Sequence, residues 1–337
     1  MSGLTFDLPT VWAALIAFAV LAYVVLDGFS LGVGLLFPFL ARGAERDLAM
    51  NSVAPVWDGN QTWLVLGGGG LFATFPLAFA VVVPALYAPL VAMLLGLVFR
   101  GVAFEFRWRT ERRRWIWDLA FPIGSLVAAI AQGTALGALV QGIEIEGRSY
   151  AGGWWDWLTP FSMLTALALV VGYFLLGATW LVMKTEDRLQ ERARALALPA
   201  AIATLALIAA VSLWTPFLDP VFMQRWLAWP AIVYTAPVPL LVALTGWLLI
   251  KGLRSGAARQ PFFAAEGLFV LCFIGLGIGF HPYIVPHDIT IHDAAAPDSS
   301  LLFLLVGALV LIPIILAYTA HAYWVFRGKV DPDTGYH

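Results

Sequence analysis

From Gly59 to Phe99 the chain carries no charged residue. A helix crosses a bilayer with about 20 apolar residues, so a run of this length holds two crossings. The pattern recurs. Stretches free or nearly free of charge lie at about 10–40, 49–75, 77–100, 116–142, 158–183, 195–217, 227–250, 261–281 and 299–326. Composition agrees: 61% of residues are hydrophobic and 12% charged, where a soluble domain carries about 25% charge and about 45–50% apolar residues. The expected fold is all-α, a polytopic integral membrane protein. Its nine transmembrane helices form one domain over residues 1–337, with no soluble domain appended. Pro76 leaves almost nothing between the second and third spans, which predicts a tight helical hairpin. The first run exceeds what a crossing requires and predicts tilt or projection beyond one face. The start, MSGLTFDLPT, has no basic region before its apolar run, so the first helix is read as retained.

Nine spans make a second prediction. Alternate loops, 41–48, 101–115, 184–194 and 251–260, then share a side with the tail after 326. They hold 16 of the 19 basic residues, and Arg100 sits at their edge. Only Arg148 and Arg225 fall on the other side. By the positive-inside rule the N-terminus is outside and the C-terminus cytoplasmic. Fifteen Trp and 23 Phe suit a chain rich in interfacial aromatics. The net charge of −2 argues against nucleic acid as a partner. With one cysteine, Cys272, there is no intrachain disulfide.

Ionisable groups inside spans face a bundle interior, pair there, and mark a pathway or ligand. Five acids qualify: Asp27, Asp58, Glu105, Asp118 and Glu266. Asp27 lies within AYVVLDGFSLGVGLLFPF, beside a small-xxx-small pair, Gly28 and Gly32, that lets another helix approach. Asp58 belongs to Trp57-Asp58-Gly59-Asn60-Gln61. A helix starting at Gly59 would make Asp58 an ordinary N-cap, but it would leave 17 residues to Phe75, the short limit for a crossing. A helix starting near 49 with Pro55 as a local break puts Asp58 two turns inside, where freed carbonyls and the side chains of Asn60 and Gln61 could hold water. Glu105 ends the third span near Arg100, Arg107 and Arg109; alone, it reads as a solvated ion pair. Asp118 and Glu266 lie close to basic loops, where they are expected to snorkel or pair.

The segment HPYIVPHDITIHD sets His281, His287 and His292 beside Asp288 and Asp293. Its spacings do not repeat on a helical face and lack the close ligand pairs of zinc sites, so no metal site is assigned. His321 reads as a structural interface residue. The GGGG at 67–70 follows no strand and precedes no phosphate-type Lys; close helix packing is the better account.

The motifs LDGFSLGVG, NSVAPVWDGNQTWL, GGGLFATFPLAFA, FRGVAFEFR, IGSLVAAIAQGTALGALVQG and PIILAYTAHAYW strongly resemble subunit II of the cytochrome bd-type quinol oxidases, over about residues 10–326. VGYFLLGATWLVMKTED is similar to the cyanide-insensitive branch. The resemblance implies a haem-free subunit without a complete active site, paired with a haem-bearing subunit I. That partner carries b-type haems and a d-type or substituting b-type haem, where quinol is oxidised and dioxygen reduced. It implies a cytoplasmic proton path along the subunit interface through Asp58 and Glu105, with Asn60, Gln61, Asp27 and Trp57 along it and Arg100 in support. Glu105 stands where some relatives have Asp. Trp63 matches a tryptophan near a proposed dioxygen entry route. A structural quinone or lipid on this chain, and a small accessory subunit, are left open. The implied location is the bacterial cytoplasmic (inner) membrane. Two rival readings stand beside this one: a self-sufficient proton-coupled transporter, and a structural partner of a haem subunit that relays nothing.

Overall fold

The computed structural model describes residues 7–110 and 112–331. Fourteen α-helices follow in order: α1 (Leu8–Leu36), α2 (Ala44–Val53), α3 (Trp57–Thr74), α4 (Pro76–Ala85), α5 (Tyr87–Arg109), α6 (Trp115–Gln141), α7 (Pro160–Lys184), α8 (Asp187–Trp214), α9 (Pro220–Leu227), α10 (Ala231–Thr235), α11 (Pro237–Arg254), α12 (Gln260–Phe280), α13 (Ile291–Ala294) and α14 (Asp298–Val325). Two short antiparallel hairpins, β1–β2 (Ile145–Glu146 with Ser149–Tyr150) and β3–β4 (Tyr283–Val285 with Ile289–Thr290), sit in the loops after α6 and α12.

Helix starts follow the local chemistry. Asp7 caps α1, its carboxylate accepting from the Thr10 amide at 3.4 Å and the Thr10 hydroxyl at 2.6 Å. Thr159 and Ser162 form a reciprocal capping box at α7, with Pro160 in the first turn, where its missing N–H goes unmissed.

Eight helical segments among the described residues are long and apolar enough to cross a membrane. Of the nine expected spans, 49–75 is the one that fails this criterion. Pro55 ends α2 outright, and α3, 18 residues long, opens on the polar turn Trp57-Asp58-Gly59-Asn60-Gln61, which lowers its mean hydropathy. Phe75 alone separates α3 from α4, and the expected 77–100 span divides into α4 and α5. The 227–250 stretch is likewise cut, with Pro230 and Pro237 flanking α10; Ala231–Arg254 remains long enough to cross. Asp187–Phe217 starts eight residues before the charge-free stretch, because Arg188, Glu191, Arg192 and Arg194 extend the helix past its apolar part.

Helix α1 is the axis. Every residue from Asp27 to Leu36 is buried, and the helix packs against α3, α6 and α7. The small-residue face works as its spacing predicts: a Cβ on Gly32 would run into the carbonyl of Tyr173, and one on Gly177 into the backbone of Gly32. Hydrogen in place of a side chain is what lets α1 and α7 touch. In the GGGG run, Gly67 and Gly70 lie against Val20 and Ile16 of α1, whereas Gly68 and Gly69 face open space. At the arginine-rich end, Asp118 accepts from Arg46 at 3.0 Å and Arg107 at 2.7 Å, and Arg114 reaches Asp47 at 2.8 Å. The expected pairing of Asp118 is present and ties α2, α5 and α6 together. Helix α14 is the exception to burial. It has the highest mean hydropathy of the spans, 2.9, yet only 6% of its apolar window is buried within the chain.

Candidate functional site

The break at Pro55 builds the site. Helix α2 stops at Val53 and α3 restarts at Trp57 with Val56 as N-cap, which offers no side-chain cap. Asp58 therefore takes neither position expected for it. It is not the cap, and no continuing helix carries it two turns deep. It lies in the first turn of α3, where the helix dipole favours an anion, and its side chain is exposed.

Trp57 fixes that turn. Its ring lies flat on Phe104 of α5, centroids 4.7 Å apart and planes within 1°, and against Gly101. Phe104 is held edge-on by Phe121 at 5.0 Å. The turn carrying Asp58 is thus pinned beside the turn carrying Glu105. Glu105 is also exposed, and neither acid makes an ion pair among the described residues.

Behind this exposed pair the polarity turns inward. Asn60, 1% exposed, donates to the Leu26 carbonyl at 2.6 Å and accepts from the Tyr323 hydroxyl at 3.0 Å. The next residue on α1 is Asp27, and it supplies the deepest feature of the site. Both of its oxygens accept from Arg100, each at 2.9 Å, and Arg100 also donates to the Ser30 hydroxyl. Both ionic side chains are fully buried. Arg100 was expected near Glu105. It points the other way because residues five apart on an α-helix project about 140° apart. A third polar group lies between α1, α6 and α7: Gln132 donates to Tyr23 at 2.7 Å and accepts from Tyr173 at 2.9 Å.

The other nominated residues are less connected. Gln61 is half-buried with its amide nitrogen unpartnered. Trp63 is fully buried, edge-on to Phe18 at 5.6 Å, and its indole N–H meets no acceptor. Glu266 overturns its expectation: it is 8% exposed and neither carboxyl oxygen has a partner, because α12 turns it into the bundle instead of toward the basic loop.

The histidines separate. His292 meets Asp7 at 3.1 Å, His287 lies 3.8 Å from Asp219, and His321 is exposed beside Trp324. Among the described residues no three His, Cys, Asp or Glu side chains gather as a metal site.

Sequence reasoning missed Ser30, Tyr23, Gln132, Tyr173 and Tyr323. All five stand within segments quoted above, from AYVVLDGFSLGVGLLFPF to PIILAYTAHAYW, but nothing in those segments set them apart beyond being polar groups in spans.

Arranged this way, the chain presents two surface acids at one end, an amide–phenol pair behind them, and a buried ion pair deeper still. Comparison with known proteins places it. A profile described as "Cytochrome bd terminal oxidase subunit II" matches residues 8–326. The chain is 32% identical to "Cytochrome bd-I ubiquinol oxidase subunit 2" of Escherichia coli K12, covering 96% of this chain and 95% of that one. It is 27% identical to "Cytochrome bd ubiquinol oxidase subunit 2" of Bacillus subtilis 168, covering 96% and 97%. Its fold resembles a chain of the bd oxidase from Geobacillus thermodenitrificans at a TM-score of 0.79 and 18% identity, over 95% of this chain and 99% of that one. The motifs read from Asp27 to Tyr323 and these matches agree, and the chain belongs to the cytochrome bd terminal oxidase subunit II family.

Proposed function

We propose that this chain is the haem-free half of a bd-type quinol:dioxygen oxidoreductase in the bacterial cytoplasmic membrane. It pairs with a haem-bearing subunit I and supplies the cytoplasmic mouth of a proton path at the subunit interface. The b-type and d-type (or substituting b-type) haems, the quinol and the dioxygen chemistry belong to the partner. Quinol oxidation releases protons outside, and oxygen reduction takes up four protons per dioxygen from inside.

One observation carries the reading. Asp58 and Glu105 have no ion-pair partner among the described residues and lie at the surface, yet Trp57 and Phe104 hold their two turns side by side. Acids kept adjacent and solvated suit an entry point, since each can take a proton from water and pass it along a partner's surface. The nearly bare α14 leaves an apolar face that lipid or a second chain can cover. Nine spans, with α3 as the short one, and the positive-inside rule together support a cytoplasmic position for both acids, at the arginine-rich end. Asp27 and Arg100 hold α1 to α5 behind the entry, and Trp63, fully buried against Ala19 and Tyr23 of α1, is the tryptophan assigned to the dioxygen route.

The test is isolation through a tag on this chain. A haem-bearing subunit should co-purify, and Asp58→Asn should lower quinol-oxidase turnover while the haem spectrum persists. A chain active alone in liposomes, or one isolating without haem, contradicts the proposal.

A further inference from the structure

Glu266 belongs to no part of the path above, and its surroundings are unusual. It lies on α12 with Phe262 one turn before it and Phe269 one turn after it, so the three share a face. Phe262 packs edge-on to Phe29 at 5.7 Å and to Trp180 at 5.3 Å, and Phe269 stacks on Tyr173 at 5.6 Å. That face is turned into the seam of α1 and α7. Both carboxyl oxygens are buried with no hydrogen-bond partner, and no cation reaches them among the described residues. Glu266 enters about 9 Å along α12 from its arginine-rich end, at 1.5 Å per residue. Asn60 and Tyr323 lie near the same ends of α3 and α14. Phe29, which holds Phe262, also touches Tyr323 at 6.3 Å.

An isolated carboxylate in so apolar a place is strongly disfavoured, and a neutral carboxylic acid far less so. Nothing in the packing requires a polar side chain there: leucine would fill the position with less penalty. We propose that Glu266 is a proton-storage site of this subunit, an uncharged acid that releases its proton toward the Asp27–Tyr323 layer and regains it as the oxidase turns over. In release the O–H bond of Glu266 breaks and water takes the proton as hydronium, leaving a carboxylate; the O–H bond forms again when the next hydronium gives its proton back. This rests on the proton-path reading above.

The test is the reduced-minus-oxidised infrared spectrum of the assembled oxidase in H₂O and D₂O. Wild type should show a C=O band of a protonated carboxyl that shifts in D₂O. The band should be lost in Glu266→Gln, displaced in Glu266→Asp, and still present in Asp58→Asn. A wild-type spectrum without such a band, or a band unchanged in Glu266→Gln and Glu266→Asp, overturns the proposal. If Glu266→Gln does not assemble, Glu266→Asp alone decides, since a one-carbon shorter acid must move the band. Turnover of Asp58→Asn reports separately on the path itself, so the two ideas fail in different measurements.

Discussion

Truncating Asp27 to Ala would leave the Arg100 guanidinium in a site with no solvent exposure, facing only the Ser30 hydroxyl. The perturbation removes two hydrogen bonds of 2.9 Å and, among the described residues, the only carboxylate in contact with Arg100. Unit charges about 4 Å apart attract by about 4 kcal/mol at an effective dielectric of about 20. Removing one member of a buried pair generally costs about 3–5 kcal/mol, mostly through the charge left behind. Against a total stability of roughly 5–15 kcal/mol, that loss is large. Asp27→Ala should therefore sharply reduce the amount of assembled oxidase, measured as haem-bearing complex recovered per cell and as its survival on heating. The decisive arm is the double variant Asp27→Leu/Arg100→Met. It removes both charges and keeps apolar volume, and replacing a whole buried pair is often neutral or stabilising. Assembly should return in the double variant, giving a coupling of at least about 2 kcal/mol in the mutant cycle. Wild-type assembly of Asp27→Ala, or a double variant no better than the singles, would refute the reasoning.

Other expectations follow from individual contacts. Gly32→Ala should abolish or greatly lower assembly, because the added methyl meets backbone of α7, whereas Gly68→Ala has open space within this chain and should be far milder; yields of complex compare them. Trp57→Ala should lower oxidase turnover several-fold by releasing the turn that carries Asp58, with Trp57→Phe retaining most of it, since a flat ring can still stack on Phe104. In the loop after α6, Tyr150 donates to the Gly153 carbonyl at 2.6 Å, and burial and the Asp156 carboxylate push its phenol up to about 12. Its contribution to loop stability should be complete below about pH 10, the ordinary tyrosine value, and vanish as pH rises through about 12. Loss of protection from protease across that window, absent in Tyr150→Phe, checks the sign.

Much of the architecture was legible because it depends on where charge is missing. Charge gaps marked eight spans that the described residues bear out, and Gly28 and Gly32 marked the face that α7 meets. What depends on three-dimensional neighbours was not legible. Pro55 was visible as a break, but whether the helix kinks or stops there is decided by packing; it stops, and Asp58 moves to a first turn at the surface. Pro230 and Pro237 flank a short helix that hydropathy alone reads as one continuous span. Arg100 and Asp27 are 73 residues apart, and nothing in either segment names the other. Proximity in sequence instead suggested Glu105, on the wrong side of the helix. Glu266 was misread for the same reason: a nearby basic loop promised a partner, and the rotation of α12 removed it.

The claim on which the account turns is that protons enter through the acids pinned together by Trp57 and Phe104. Proton uptake by the assembled oxidase in liposomes, timed after mixing the fully reduced complex with dioxygen, tests it most directly. Asp58→Asn and Glu105→Gln should each slow uptake from the cytoplasmic side at least about tenfold, a barrier change of about 1.4 kcal/mol, with haem spectra intact and Asp58→Glu restoring the rate. Uptake at the wild-type rate in both neutral variants would contradict the account.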